Sequence, residues 1–143
     1  MLRVVLDTNI FVSSMLVKKG QPAQVIQAWR EQRYLLVTSN VLINEIIHTL
    51  GYARIRRKYH ITDDDVADLT VLLKKDALVV PGTANVWGTV IEDPDDDHVL
   101  ACAVDGQADV IVSGDHHLLK LGEYRQIPIV SARDFLQELS ERE

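Results

Sequence analysis

The stretch LRVVLDTN, residues 2–9, is mainly apolar over its first five residues, with Arg3 the one exception, and then turns abruptly polar. The consecutive Val4, Val5 and Leu6, with no in-out alternation, suit a strand covered on both faces, as in a parallel sheet flanked by helices. Asp7 stands at the end of that strand, followed by Thr8 and Asn9. Similar short runs recur as YLLVT (34–38), ALVV (77–80, stopped by Pro81-Gly82), ADVIVS (108–113) and IPIV (127–130). Between them the pattern changes to a helical period. Pro22 suits a first helical turn, and PAQVIQAWR puts Val25, Ile26 and Trp29 on one side. Ser39 is placed to cap a helix whose stripe is Leu42, Ile43, Ile46, Ile47 and Leu50. A shorter basic helix follows, then a helix opened by Thr62 with Asp65 three residues on, one over about 95–105, and a last one capped by Ser131. Strands alternate with segments long enough for crossovers, so the chain reads as α/β around a mainly parallel sheet. With no repeat, low-complexity tract or linker, one domain over 1–143 is expected.

Composition narrows the function classes. Apolar residues make up 47% and charged residues 25%, ordinary for a soluble globular chain. No apolar run approaches the roughly 18 residues of a membrane helix, and the N-terminus lacks the pattern of a signal peptide. The lone cysteine, Cys102 in LACAV, excludes a disulfide framework, fits a small core residue and makes the cytoplasm the expected compartment. A net charge of −6 argues against holding nucleic acid by bulk electrostatics alone. It leaves room for a local basic patch, and one exists: Arg54, Arg56, Arg57 and Lys58, flanked by Tyr52 and Tyr59.

The acids divide into routine and unexplained. In IEDPDDDHVL (91–100), Asp93 fits an N-cap with Pro94 at the first helical position, and Asp95 and Asp96 fall in the first turn, where the helix dipole favours anions. Asp97 fits less well. Its spacing to Leu100, Ala101 and Val104 puts it beside the stripe that faces the sheet, where a carboxylate loses solvation. Asp7 and Asp115 each follow a strand, on the rim where open parallel sheets bind ligands. Glu45, between Leu42 and Ile46 on the next helix, can lean over the same rim. Two such charges ~4 Å apart repel by about 4 kcal/mol at an effective dielectric near 20. A convergent cluster therefore takes up protons or a cation, and hard oxygen donors without a Cys/His set suit Mg²⁺ or Mn²⁺.

DTN after the first strand, Glu45, DDDHVLACA and SGD together resemble the PIN-domain nucleases over about residues 2–136, most of all the VapC-like toxin components of prokaryotic toxin–antitoxin pairs. The resemblance implies a three-layer α/β/α sandwich and Mg²⁺- or Mn²⁺-dependent endoribonuclease activity. It also implies RNA as substrate, an antitoxin partner and a homodimer or higher assembly. By position, Asp7, Glu45, Asp97 and Asp115 match the acidic quartet, with Asp7, Asp97 and Asp115 as metal ligands. Thr8, Asn9 and Ser113 match the polar residues that orient it. Asp95 and Asp96 lie next to the matched Asp97, so the register there is open. His117 occupies a place where many relatives carry another Asp, and is not counted as a ligand.

Other readings are weaker. A receiver domain needs an acidic pair after the first strand and a late lysine, where this chain has Asp7-Thr8-Asn9 and Ser131. A haloacid-dehalogenase-type phosphatase needs Asp at the place of Asn9. Glu45 and His48 form an E-x-x-H pair, but no second such pair exists for a di-iron bundle. The alternatives that stand are a PIN-fold RNA- or partner-binding module with little turnover, and a solitary RNA-processing or DNA-flap nuclease.

Overall fold

A computed structural model describes residues 1–86 and 96–143. The expected N-cap Asp93, Pro94 and first-turn Asp95 lie outside the described residues. In chain order the elements are β1 (Arg3–Leu6), α1 (Thr8–Leu16), α2 (Gln21–Arg30), β2 (Leu35–Ser39), α3 (Asn40–Leu50), α4 (Ala53–Tyr59) and α5 (Asp63–Asp76). There follow β3 (Leu78–Val80), α6 (Asp96–Asp105), β4 (Val110–Val112), α7 (His116–Leu121), β5 (Glu123–Tyr124), β6 (Ile127–Val130) and α8 (Ala132–Arg142).

The sheet runs β3-β2-β1-β4-β6-β5. Neighbours are parallel except β5, which pairs antiparallel with β6. The chain winds outward from β1 through β2 to β3, then returns to the other side of β1 to lay down β4. The order therefore reverses between β1 and β4, and a crevice opens there beyond the carboxyl ends of the strands.

Strand pleating divides the core in two. Val4 and Leu6 of β1, Leu36 of β2 and Val110 and Val112 of β4 pack with residues of α1, α2, α3, α5 and α8. Val5, Val37 and Ile111, one register step away, pack on the other face with α6 and with Leu118 of α7. This is the three-layer sandwich expected from the sequence. On the first side Tyr34 is buried edge-on against Phe135, and its hydroxyl donates to the Val25 carbonyl at 2.7 Å.

The expected caps form. Ser39 Oγ accepts from Leu42 N, Ser131 Oγ accepts from Asp134 N, and Thr62 with Asp65 makes a reciprocal capping box. Three elements were not expected: α1, α7 and the short β5. In α1 three consecutive residues, Ile10, Phe11 and Val12, are buried, so this helix shows no one-sided stripe of the kind that announces a helix.

Gly106, just past α6, lets that helix approach β2. A Cβ there would lie 2.3 Å from Val37 Cγ1 and 3.2 Å from the Cys102 carbonyl. Val37 is fully buried and β-branched, with little freedom to yield. Gly106→Ala is expected to destabilise the fold by about 1–3 kcal/mol, the usual range for overpacking. Thermal unfolding measures this directly, and an unchanged midpoint would show that the two elements separate at no cost.

Candidate active site

Asp7 is set by both backbone and side chain. Its amide donates to the Val112 carbonyl at 2.9 Å, which locks the end of β1 to the end of β4. The residue then caps α1, its Oδ1 accepting weakly from the Asn9 amide at 3.5 Å and from Thr8 Oγ1 at 3.3 Å. Oδ2 accepts from Ser113 Oγ at 2.7 Å, and that hydroxyl in turn accepts from the Asp115 amide at 2.9 Å. Ser113, wholly buried, therefore couples the two strand-end aspartates. Asp115 caps α7, with Oδ1 taking the His117 amide at 2.7 Å. The polar supports read from the sequence, Thr8, Asn9 and Ser113, thus all touch Asp7, Asn9 through its backbone.

Asp7 is only 3% exposed, and burial pushes its carboxyl above the ordinary aspartate range. Hydrogen bonds from Ser113, Asn9 and Thr8 oppose that shift, while the nearby charge of Asp115 adds to it. Among the described residues, burial is thus the largest influence on this carboxylate, and it disfavours the charged form.

A cavity of about 250 Å³ opens at this point. Asp7, Glu45 and Asp96 line it, together with Thr8 and Asn9. The remaining lining comes from His48, Thr49 and Tyr52, with Val99 contributing an apolar contact. Carboxylates from the end of β1, from α3 and from the start of α6 therefore meet, although they are far apart along the chain. Asp97 is also buried, at 2% exposure, but it is not among the lining residues; its neighbour Asp96 is. Asp115 does not line the cavity either, and reaches it through Ser113 and Asp7. Beside Asp115, the side chains of His116 and His117 offer ligand atoms that lie with its carboxylate within 4.8 Å of one another.

The basic patch splits in two. Arg56 is engaged by the fold, its Nε donating to the Leu50 carbonyl and its guanidinium pairing with Asp63. Arg54, Arg57 and Lys58 remain exposed on α4, the helix that begins directly after cavity-lining Tyr52. Cys102 is buried and its thiol is pushed up to about 12 by burial, as befits a core residue. Asp96, His48, Thr49 and Tyr52 were not chosen from the sequence. Glu45, His48, Thr49 and Tyr52 do fall at i, i+3, i+4 and i+7, one side of a helix and its exit, and that spacing was the available signal.

The family model described as PIN domain matches residues 3–117. The chain belongs to the PIN domain family. This is a family of nucleases. The uncharacterized protein MJ1680 of Methanocaldococcus jannaschii is 21% identical over 145 residues, covering 96% of this chain and 91% of that protein. The PIN fold is shared with solved structures. VapBC2 from Rickettsia felis, crystallised bound to a promoter DNA fragment, superposes with a TM-score of 0.61 at 11% identity, over 91% of this chain and 98% of the other. VapC20 of Mycobacterium tuberculosis, described as a sarcin–ricin-loop-cleaving toxin, gives a TM-score of 0.58 at 16% identity, over 87% and 98% of the two chains. Among the described residues no helix is long and apolar enough to cross a membrane.

Proposed function

We propose that this PIN domain is a divalent-metal-dependent endoribonuclease and the toxin of a toxin–antitoxin pair, acting in the cytoplasm. The observation that carries the catalytic part is the meeting of Asp7, Glu45 and Asp96 around one cavity at the point where strand order reverses. The donor set fits a hard cation. Its carboxylates offer hard oxygen donors, and buried Asp7 is held in an environment that disfavours its charge. Asp7 and Asp96, with Asp115 reached through Ser113, would hold Mg²⁺ or Mn²⁺. When bound, the ion supplies charge neutralisation at the phosphate and acidification of water. Asp97, matched by the family resemblance, stays the competing candidate for the ligand placed on Asp96.

The chain's own residues then do the following. Glu45 accepts a proton from the water that attacks phosphorus, while the P–O bond to the leaving sugar oxygen breaks and that oxygen takes a proton from solvent. Ser113 and Thr8 donate to the two oxygens of Asp7 and fix its rotamer. Arg54, Arg57 and Lys58, exposed on α4, hold flanking phosphates by charge. The likeness to VapBC2 supports an antitoxin partner. Exposed Val17 and Val41, on and after the early helices, offer apolar surface for a homodimer.

The purified chain is expected to cleave single-stranded RNA with Mg²⁺ or Mn²⁺ and to stop when the ion is chelated. Gel analysis of end-labelled RNA reads the result, and cleavage that persists in excess chelator would remove the metal from the reading. RNA binding without cleavage under all metal conditions would favour the binding-module alternative.

A further inference from the structure

The cavity lined by these carboxylates also holds an exposed aromatic ring. Tyr52 is 52% exposed, so its ring is open to a ligand. Its orientation is set from one side. The hydroxyl lies 3.2 Å from His48 Nε2, and the two rings meet edge-on with centroids 5.2 Å apart at 70°. Tyr52 occupies the N-cap position of α4, yet its side chain makes no capping hydrogen bond, so capping does not account for the ring. It stands between the acidic cavity, which it lines, and the exposed cations of α4.

We infer that Tyr52, steadied by His48, is the platform on which a nucleobase next to the scissile phosphate stacks. This rests on the ribonuclease reading and adds how the substrate is positioned. Carboxylates line the reaction centre and, beyond the one phosphate a bound ion would neutralise, repel the sugar–phosphate backbone, so charge alone does not seat the nucleotide next to it. Stacking is indifferent to that repulsion, and every base has a face to offer. A base on Tyr52 leaves its phosphate free to enter the cavity while the next phosphates run toward Arg54, Arg57 and Lys58. Tyr52 is a positioning residue: it holds the substrate and transfers no proton.

The test uses the Asp7→Asn chain, so that binding is measured with cleavage suppressed, and a short single-stranded RNA carrying a fluorescent adenine analogue. Adding Tyr52→Ala is expected to weaken binding roughly five- to a hundredfold, the scale of losing one stacked base, and to abolish quenching of the analogue. Tyr52→Phe and Tyr52→Trp are expected to keep both. With Asp7 restored, Tyr52→Ala raises KM and leaves kcat nearly unchanged. Equal binding by the alanine variant, or a phenylalanine variant as weak as alanine, overturns the platform. The two readings fail separately. Normal cleavage with no effect of the ring removes the platform alone, whereas ring-dependent quenching in a chain that never cleaves RNA supports the platform and removes the nuclease.

Discussion

Asp7→Asn is expected to lower RNA cleavage at least about a hundredfold, the scale of deleting one fixed electrostatic group from a reaction centre. Asparagine keeps the shape and can still cap α1, so the loss isolates charge from packing. The same substitution has a second, opposite signature. Burial raises the folded-state value of Asp7 above the ordinary 3.8 that it has when unfolded. The folded chain therefore binds more protons than the unfolded chain between those two values, and stability falls as pH rises through that window. The favourable contribution is complete below the unfolded value and lost above the folded one. With divalent ions chelated, Asp7→Asn should remove this part of the pH dependence and melt no lower than the parent near neutrality. Adding Mg²⁺ or Mn²⁺ should raise the melting temperature of the parent more than that of the variant. A variant that cleaves normally, or gains the same stabilisation from the ion, would show that Asp7 holds no metal.

The second large effect separates two neighbours. Asp96→Asn is expected to reduce kcat/KM by about a hundredfold on the same scale, because Asp96 lines the cavity with Asp7 and Glu45. Asp97→Asn is the paired comparison, since Asp97 is the position matched by the family resemblance and is buried next to Asp96 without lining the cavity. Thermal melts alongside the kinetics keep the comparison clean, each rate being referred to the folded fraction. Should Asp97→Asn fold and lose activity while Asp96→Asn keeps it, the ligand reverts to the position read from the sequence.

That one-residue question shows where sequence reading stops. Asp97 was singled out because it aligns with Leu100, Ala101 and Val104, and the argument needs a helix with one buried side. In α6, Val99, Leu100, Ala101, Cys102 and Ala103 are all buried, as are both Asp96 and Asp97. Helical periodicity cannot choose between adjacent acids when the helix is covered nearly all round. The same cause hid α1, whose buried residues are consecutive. His48 and Tyr52 were visible as residues, but nothing local says that α3 leans its flank over the end of β1.

The sequence by itself determined five of the six described strands, the caps at Ser39, Thr62 and Ser131, and the family, because apolar runs and capping side chains act through neighbours a few residues away. It also marked Asp7 and Asp115 as strand-end acids, since a strand's end is a local fact. Only the tertiary structure decided which carboxylates share a cavity. That depends on the return from β3 across β1 to β4, and on the Ser113 hydroxyl joining Asp7 to a residue more than a hundred positions away. Charge convergence is a property of distance in space, and chain spacing carries no record of it.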